Sequence, residues 1–391
     1  MDSTKAQLGR DVEALRDELY AISDFLYQHP EIGFQEYQAC KYLSGFLKDR
    51  GFDVHQGIGG LETAFLGLPQ NGPRVRPTIA LLAEYDALPG IGHGCGHNMI
   101  AAASLGAALA LKKHAERFPG SFAVVGTPAE EGGGGKILLA EAGVFANMDA
   151  AIMFHPGRRN LPCEDMIGRV KFMIEFFGKS AHASVSPDQG INALDAMVAA
   201  YNNISVLRQQ LRPEAKVHGI ITHGGEAPNI IPEYTAGMFY VRAATRKYRD
   251  EVLEKVKKCM EAGAMATGAT YQIEIGRPTF DPIRKNPPLE ETVRVNMEAL
   301  GISIDPDDGR RGSSDIGNLS QIVPAIHPSL AIADADTPGH SQIFREATLS
   351  SRGRETLVKA AKLLAMTAFD FLTSSELQKR IKAAFHTREE S

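Results

Sequence analysis

The sequence predicts an α/β protein in two parts, one α/β domain interrupted by a smaller inserted domain. Three observations carry this. Apolar strand runs alternate with an apolar helix in the N-terminal part, and the rhythm changes to β–α–β–β–α–β near Arg169. The chain's 391 residues, 43% of them hydrophobic, also suffice for more than one core.

The elements follow in order. The opening segment MDSTKAQLGRDVEALRDELY is charged and helix-like, with no apolar signal core. RPTIALLAEYD holds a short buried-strand run, NMIAAASLGAALALKKHAERF an apolar helix, and GSFAVVGTPAEE and MDAAIMFHP two further strands. From Arg169 onward, RVKFMIEFFG, AKVHGIITHG, YTAGMFYVRA and ATYQIEIGR read as strands. The helices among them are GINALDAMVAAYNNISVLRQQL and RKYRDEVLEKVKKCMEAGAMATG. The resulting βαββαβ order is the ferredoxin-like unit, which folds as a separate small domain. The expected boundaries are 1–168, 169–282 for the insertion, and 283–391, with a long or broken helix closing the chain.

Composition removes several functions. A net charge of −5 without a basic block argues against nucleic-acid binding. No apolar run approaches the roughly 20 residues that span a bilayer. The four cysteines are scattered and read as reduced thiols of a cytoplasmic protein, except Cys95, whose surroundings invite another reading.

Three strand runs end in polar residues of one chemical kind. IALLA leads to Glu84 and Asp86 and then to His93, Cys95 and His97, FAVVGTP leads to Glu130 and Glu131, and AAIMF leads to His155. Ligands of open α/β sheets bind beyond the carboxyl ends of the strands. Carboxylates, imidazoles and a thiolate gathered there match the donor set of zinc and similar ions. More donors than the four one zinc usually takes suggest two metals. Of the adjacent pair Glu130 and Glu131, one can ligate while the other takes a proton from metal-activated water. His340, in DTPGHSQIF, and His327, in AIHPSL, compete as a C-terminal donor.

Over nearly its whole length, and in order, the chain carries HPEIGFQEYQA, EYDALPGIGHGCGHN, GTPAEEGGGGK, FHP, GKSAHAS, GGEAPNIIPE, GSSDIGNLS and PGHSQIF. In these it resembles the di-metal amidohydrolase and exopeptidase family of aminoacylase, glutamate carboxypeptidase, succinyl-diaminopimelate desuccinylase and the auxin-conjugate hydrolases. AEYDALPGIGH and GSSDIGNLSQIVPAIHP are most similar to its aminobenzoyl-glutamate hydrolase and aminoacylase-1-like branch. The resemblance implies a mixed-sheet, zinc-exopeptidase-like catalytic domain and an inserted domain acting as lid and dimerisation surface. It implies two divalent ions (zinc, manganese or cobalt) on Cys95, His97, Glu131, His155 and His340, so His340 rather than His327. It makes Glu130 the general base and Asp86 the residue that orients a ligand. His182 matches an oxyanion-stabilising histidine that often reaches across a homodimer, and Asn229 and Arg242 match substrate contacts, Arg242 suiting a carboxylate.

The chain departs from the family in two places: the auxin-conjugate branch has Asp where Asn98 stands, and other branches have His where Glu84 stands. Asn98 is expected to cap the following helix, and His93 has no assigned role. The implied reaction is hydrolysis of an amide in an N-acyl amino acid, a dipeptide or an aminobenzoyl-glutamate-like conjugate. Two rival readings are a Cys95 thiol hydrolase, which leaves the carboxylates without a task, and a catalytically silent binding protein.

Overall fold

The short apolar runs become strands in the computed structural model, which describes residues 3–70, 72 and 75–387. In chain order these are β1 (Phe52–Gln56), β2 (Phe65–Pro69), β3 (Thr78–Ala83), β4 (Ser121–Gly126), β5 (Ala150–Ile152), β6 (His155–Gly157), β7 (Gly168–Phe177), β8 (Lys216–His223), β9 (Tyr234–Ala243), β10 (Thr270–Phe280), β11 (Ala325–Ile326) and β12 (Ser329–Ala331). The chain divides into two units. One comprises the segments up to Asp165 and from Ile283 onward, and the other is Met166–Pro282.

The first unit contains a mixed sheet in the order β1-β2-β4-β3-β5-β11. β3 lies between β4 and β5 and is parallel to both, whereas β2 runs antiparallel to β1 and β4. Every residue of β3 and β4 is buried, as a continuous apolar run rather than an alternating one requires. β6 and β12 form a separate parallel ladder that sets His155 opposite Ser329.

Helix His97–Lys112 is buried from His97 through Leu111 and packs against β3, helix Arg16–Gln28 and helix Ser351–Thr373. A Cβ added at Gly106 would lie 2.7 Å from Leu19 Cδ2 and 3.4 Å from Ala361 Cβ, so these helices approach at backbone distance. The expectation that Asn98 caps this helix is wrong. The helix begins at His97, after Gly96 in the left-handed conformation that the tight turn needs. Asn98 is instead buried and donates from Nδ2 to Ser23 Oγ at 2.8 Å and Thr348 Oγ1 at 3.3 Å. The closing helix breaks at Ser374, whose hydroxyl accepts from the Leu377 N–H and starts a second helix, Ser375–His386.

The second unit runs β7, helix Ala193–Arg208, β8, β9, helix Arg246–Thr267, β10, with its antiparallel sheet ordered β10-β7-β9-β8. β7 alternates strictly, and its buried Val170, Phe172, Ile174 and Phe176 share a core with Met197 and Ile204 of one helix and Val252, Val256 and Met260 of the other. Side-chain caps start both helices: Asn192 Oδ1 accepts from the Leu194 and Asp195 N–H groups, and Thr245 Oγ1 from that of Tyr248. β8 is an edge strand on which Ile220 is 63% exposed.

No helix among the described residues is long and apolar enough to cross a membrane.

Candidate active site

The parallel arrangement of β3, β4 and β5 brings their carboxyl ends side by side, and the polar residues after each strand meet there. Cys95, His97 and His155 offer donor atoms within 4.8 Å of one another, as do Cys95, Glu131 and His340, and likewise His97, Glu130 and Glu131. The three groups share members, so Cys95, His97, Glu130, Glu131, His155 and His340 form one continuous cluster in the first unit.

Several of these donors are held by a neighbour. Asp86 Oδ1 lies 3.0 Å from His97 Nδ1, and Asp86 Oδ2 accepts from the Glu131 N–H at 2.9 Å. One buried carboxylate therefore orients two donors, and it turns His97 Nε2 into the cluster. His155 Nδ1 lies 2.8 Å from the Pro156 carbonyl oxygen, which leaves Nε2 facing Cys95 Sγ at 3.5 Å. His340 Nε2 is 3.4 Å from Glu131 Oε1. It lies in an exposed turn with a left-handed φ of 52°, an uncommon conformation for a residue that carries a side chain.

The cluster fits divalent ions on its own chemistry. His97 Nε2, Glu84 Oε2 and Glu131 Oε1 are buried without a hydrogen-bond partner, an expensive state unless a cation completes them. Imidazoles with one nitrogen held by a carboxylate or carbonyl and the other left free are built as metal ligands. Burial, followed by the charges of Glu84, Asp315 and Glu131, drives the Glu130 carboxyl well above its ordinary range. So dense a set of carboxylates also calls for added positive charge. Burial and the Glu131 charge likewise push the Cys95 thiol well up, which opposes a free nucleophilic thiolate there.

The loop carrying Glu130 and Glu131 is braced from the N-terminal segment. Glu36 is fully buried; its Oε1 accepts from the Ala129 N–H at 2.8 Å and its Oε2 from the Thr63 hydroxyl at 2.9 Å. Ala129 itself has a left-handed φ of 57°. Burial, then the Asp86 charge, raises the Glu36 carboxyl to about 7.

The two histidines that compete locally as a C-terminal donor, of which the resemblance favours His340, have different surroundings. His327 is buried and stacks on the His155 ring, centroids 5.1 Å apart at 29°, with neither ring nitrogen hydrogen-bonded. The structure thus backs His155 with His327 and brings His340 to Cys95 and Glu131. His93 is buried beside the cluster, and its burial, followed by the charge on His97, pushes the imidazole down to about 3.

The sequence reading missed Glu36, Lys136 and Asp315. Lys136 is wholly buried, with Nζ 2.5 Å from Glu84 Oε1 and 2.6 Å from Asp315 Oδ1. Its only local signal is a lysine opening the apolar run ILLA.

The remaining expected residues lie in the second unit. The Ala183 N–H donates to the Asn229 carbonyl at 3.0 Å, and His182 bridges Ile230, so the exposed His182 and Asn229 lie on adjacent turns. Arg242 stands on β9, paired in register with Arg169 of β7 and Lys216 of β8. Cross-strand partners share a face, so these form a row of three cations. Burial, and then the Arg169 charge, lowers the Arg242 pKa.

Fold and site together define a hydrolase of amide bonds. The chain belongs to Peptidase family M20/M25/M40, whose description matches residues 80–390. It is 37% identical to the Xaa-Arg dipeptidase of Mus musculus, over 98% of this chain and 93% of that one. It is 33% identical to a p-aminobenzoyl-glutamate hydrolase chain of Escherichia coli (strain K12), over 67% of this chain and 58% of that one. Its fold is similar to that of a dinuclear metal-binding M20 peptidase of Bacillus subtilis, with a TM-score of 0.73 at 20% identity, covering 92% of this chain and 99% of that one.

Proposed function

We propose that this protein is a metal-dependent hydrolase of small linear amides: dipeptides, N-acyl amino acids or aminobenzoyl-glutamate-like conjugates. The relatives named for Xaa-Arg dipeptides and p-aminobenzoyl-glutamate support that substrate class. The observation that carries the reading is the His97 imidazole. Asp86 fixes its Nδ1, and its unpartnered Nε2 faces a cluster of further unpartnered donors. Cys95, His97, Glu131, His155 and His340 would hold two divalent ions, zinc, manganese or cobalt. When bound, such ions supply Lewis acidity that acidifies water and polarises the scissile carbonyl.

The chain's own residues do the rest. Glu130 takes a proton from the attacking water at a carboxylate oxygen and delivers it to the leaving nitrogen. His182 donates a hydrogen bond to the developing oxyanion. Asn229 and Arg242 bind the substrate, Arg242 at a carboxylate, a role that the row formed with Arg169 and Lys216 supports.

The second unit, Met166–Pro282, is proposed to serve as lid and dimerisation domain. Its exposed β8 edge, carrying Ile220, offers backbone groups and apolar surface to a second copy. A cytoplasmic compartment belongs to the same proposal and rests on four free thiols.

The test is a hydrolysis panel of Xaa-Arg and other dipeptides, N-acyl amino acids and aminobenzoyl-glutamate, after loading with each metal. Glu130→Gln should retain metal and lose turnover by at least roughly 100-fold. Wild-type turnover in that variant, or full activity after exhaustive chelation, would refute the mechanism.

A further inference from the structure

One buried group near the cluster has no place in the mechanism above. The Lys136 ammonium, on the first turn of helix Gly135–Glu141, is wholly enclosed between Glu84 at the end of β3 and Asp315 before the short helix Ile316–Leu319. Its backbone N–H also donates to Asp315 Oδ2 at 2.9 Å, so Lys136 holds Asp315 at two points. Burying three charges is costly before pairing, and a well-packed apolar trio would be at least as stable. A network of that kind is weakly explained by stability alone.

Its orientation points to another role. Lys136 occupies Glu84 Oε1, while Oε2 is buried, has no hydrogen-bond partner, and lies 3.4 Å from His97 Nε2. With Asp86 at His97 Nδ1, His97 Nε2 and Glu84 Oε2 face each other across that gap without a hydrogen bond. Nitrogen and oxygen donors about 2.0–2.2 Å from one tetrahedral ion are separated by about 3.4 Å. Ligand-like spacing recurs at His340 Nε2 and Glu131 Oε1, 3.4 Å, and at Cys95 Sγ and His155 Nε2, 3.5 Å.

We propose that Lys136 is a positioning residue of the metal centre, acting through Glu84: it binds one carboxylate oxygen and turns the other to the ion that His97 holds. Asp315 anchors the ammonium from behind, so that Lys136 spans a fixed distance and cannot collapse onto Glu84. The inference deepens the proposed function and rests on its metal centre.

The experiment counts zinc equivalents and their dissociation constants by competition with a chromophoric chelator, on the full chain, with circular dichroism to establish folding. Lys136→Met/Asp315→Asn removes the ammonium together with the carboxylate it would strand, and Glu84→Gln removes the charge that faces His97. Each variant should lose at least about tenfold in affinity for one of two equivalents, the range seen when a ligand's supporting partner is removed, and keep the other within about twofold. Adding Glu84→Gln to the double variant should cost nothing more than Glu84→Gln alone. A folded double variant or Glu84→Gln protein with both affinities intact would overturn the proposal. So would equal weakening of both equivalents, or an unfolded double variant, either of which makes the network's role structural. Wild-type protein that takes up no zinc would fail the metalloenzyme reading itself, an outcome separate from those.

Discussion

Asp86 and Glu36 show how much of the site depends on carboxylates that hold other residues in place. Asp86 divides its two oxygens between His97 Nδ1 and the Glu131 N–H, so Asp86→Ala should release both donors. Metal affinity, measured by equilibrium dialysis, should fall by roughly 10- to 100-fold while the fold persists. Glu36 supports the same loop through Ala129 and has a pH signature. Its folded carboxyl holds a proton that the unfolded chain has already released, because burial and Asp86 raise it from 4.5 to about 7. Its contribution to stability therefore falls as pH rises from 4.5 to about 7 and stays constant beyond. Glu36→Gln should remove that slope. Against wild type, its denaturation midpoint should gain the equivalent of roughly 1–3 kcal/mol across the window, and parallel profiles would exclude the assignment. Asp86, Glu130, Glu131, His97 and His155 were legible from the sequence because each follows an apolar run that a strand must end, whereas His340 was singled out by its motif PGHSQIF. Glu36 and Lys136 were not, since their partners stand 93 and 179 residues away and no local pattern records such a pairing.

At the scale of elements, the turn from β4 into helix Gly135–Glu141 is the tightest piece of construction near the site. A Cβ at Gly135 would lie 1.8 Å from the Pro128 carbonyl oxygen, a backbone atom that cannot rotate away. Gly135→Ala should therefore displace the Glu130–Glu131 loop on one side and Lys136 on the other. A loss of about 1–3 kcal/mol in urea unfolding, with activity reduced more than the unfolded fraction explains, is the expected result. The run GGGG is part of the motif GTPAEEGGGGK, but which glycine lacks room emerges only from the packing. Strands and helices themselves were readable. β3 and β4 follow from continuous apolar runs, β7 from strict alternation, and the helix around Met99–Leu111 from its length. Boundaries were less so: the helix begins one residue before Asn98 because Gly96 supplies the left-handed turn.

At the scale of the molecule, the residues proposed for catalysis are divided between the two units: Glu130 in the first, and His182, Asn229 and Arg242 in the second. If His182 serves the site of a second copy, mixing His182→Ala with Glu130→Gln should restore up to about a quarter of wild-type activity by pairing intact halves, as random assembly into dimers allows. Mixtures that stay inactive while sedimenting as mixed dimers would rule out the cross-subunit role. By itself the sequence determined the α/β class, the βαββαβ order, the family and the donors after each strand. Those properties reside in local periodicity and in ordered motifs, which need no knowledge of distant contacts. Tertiary structure alone decided that His327 stacks behind His155 and that Lys136 is sealed between Glu84 and Asp315. Such choices depend on which remote segments the sheet brings together and on which buried charges then require a partner.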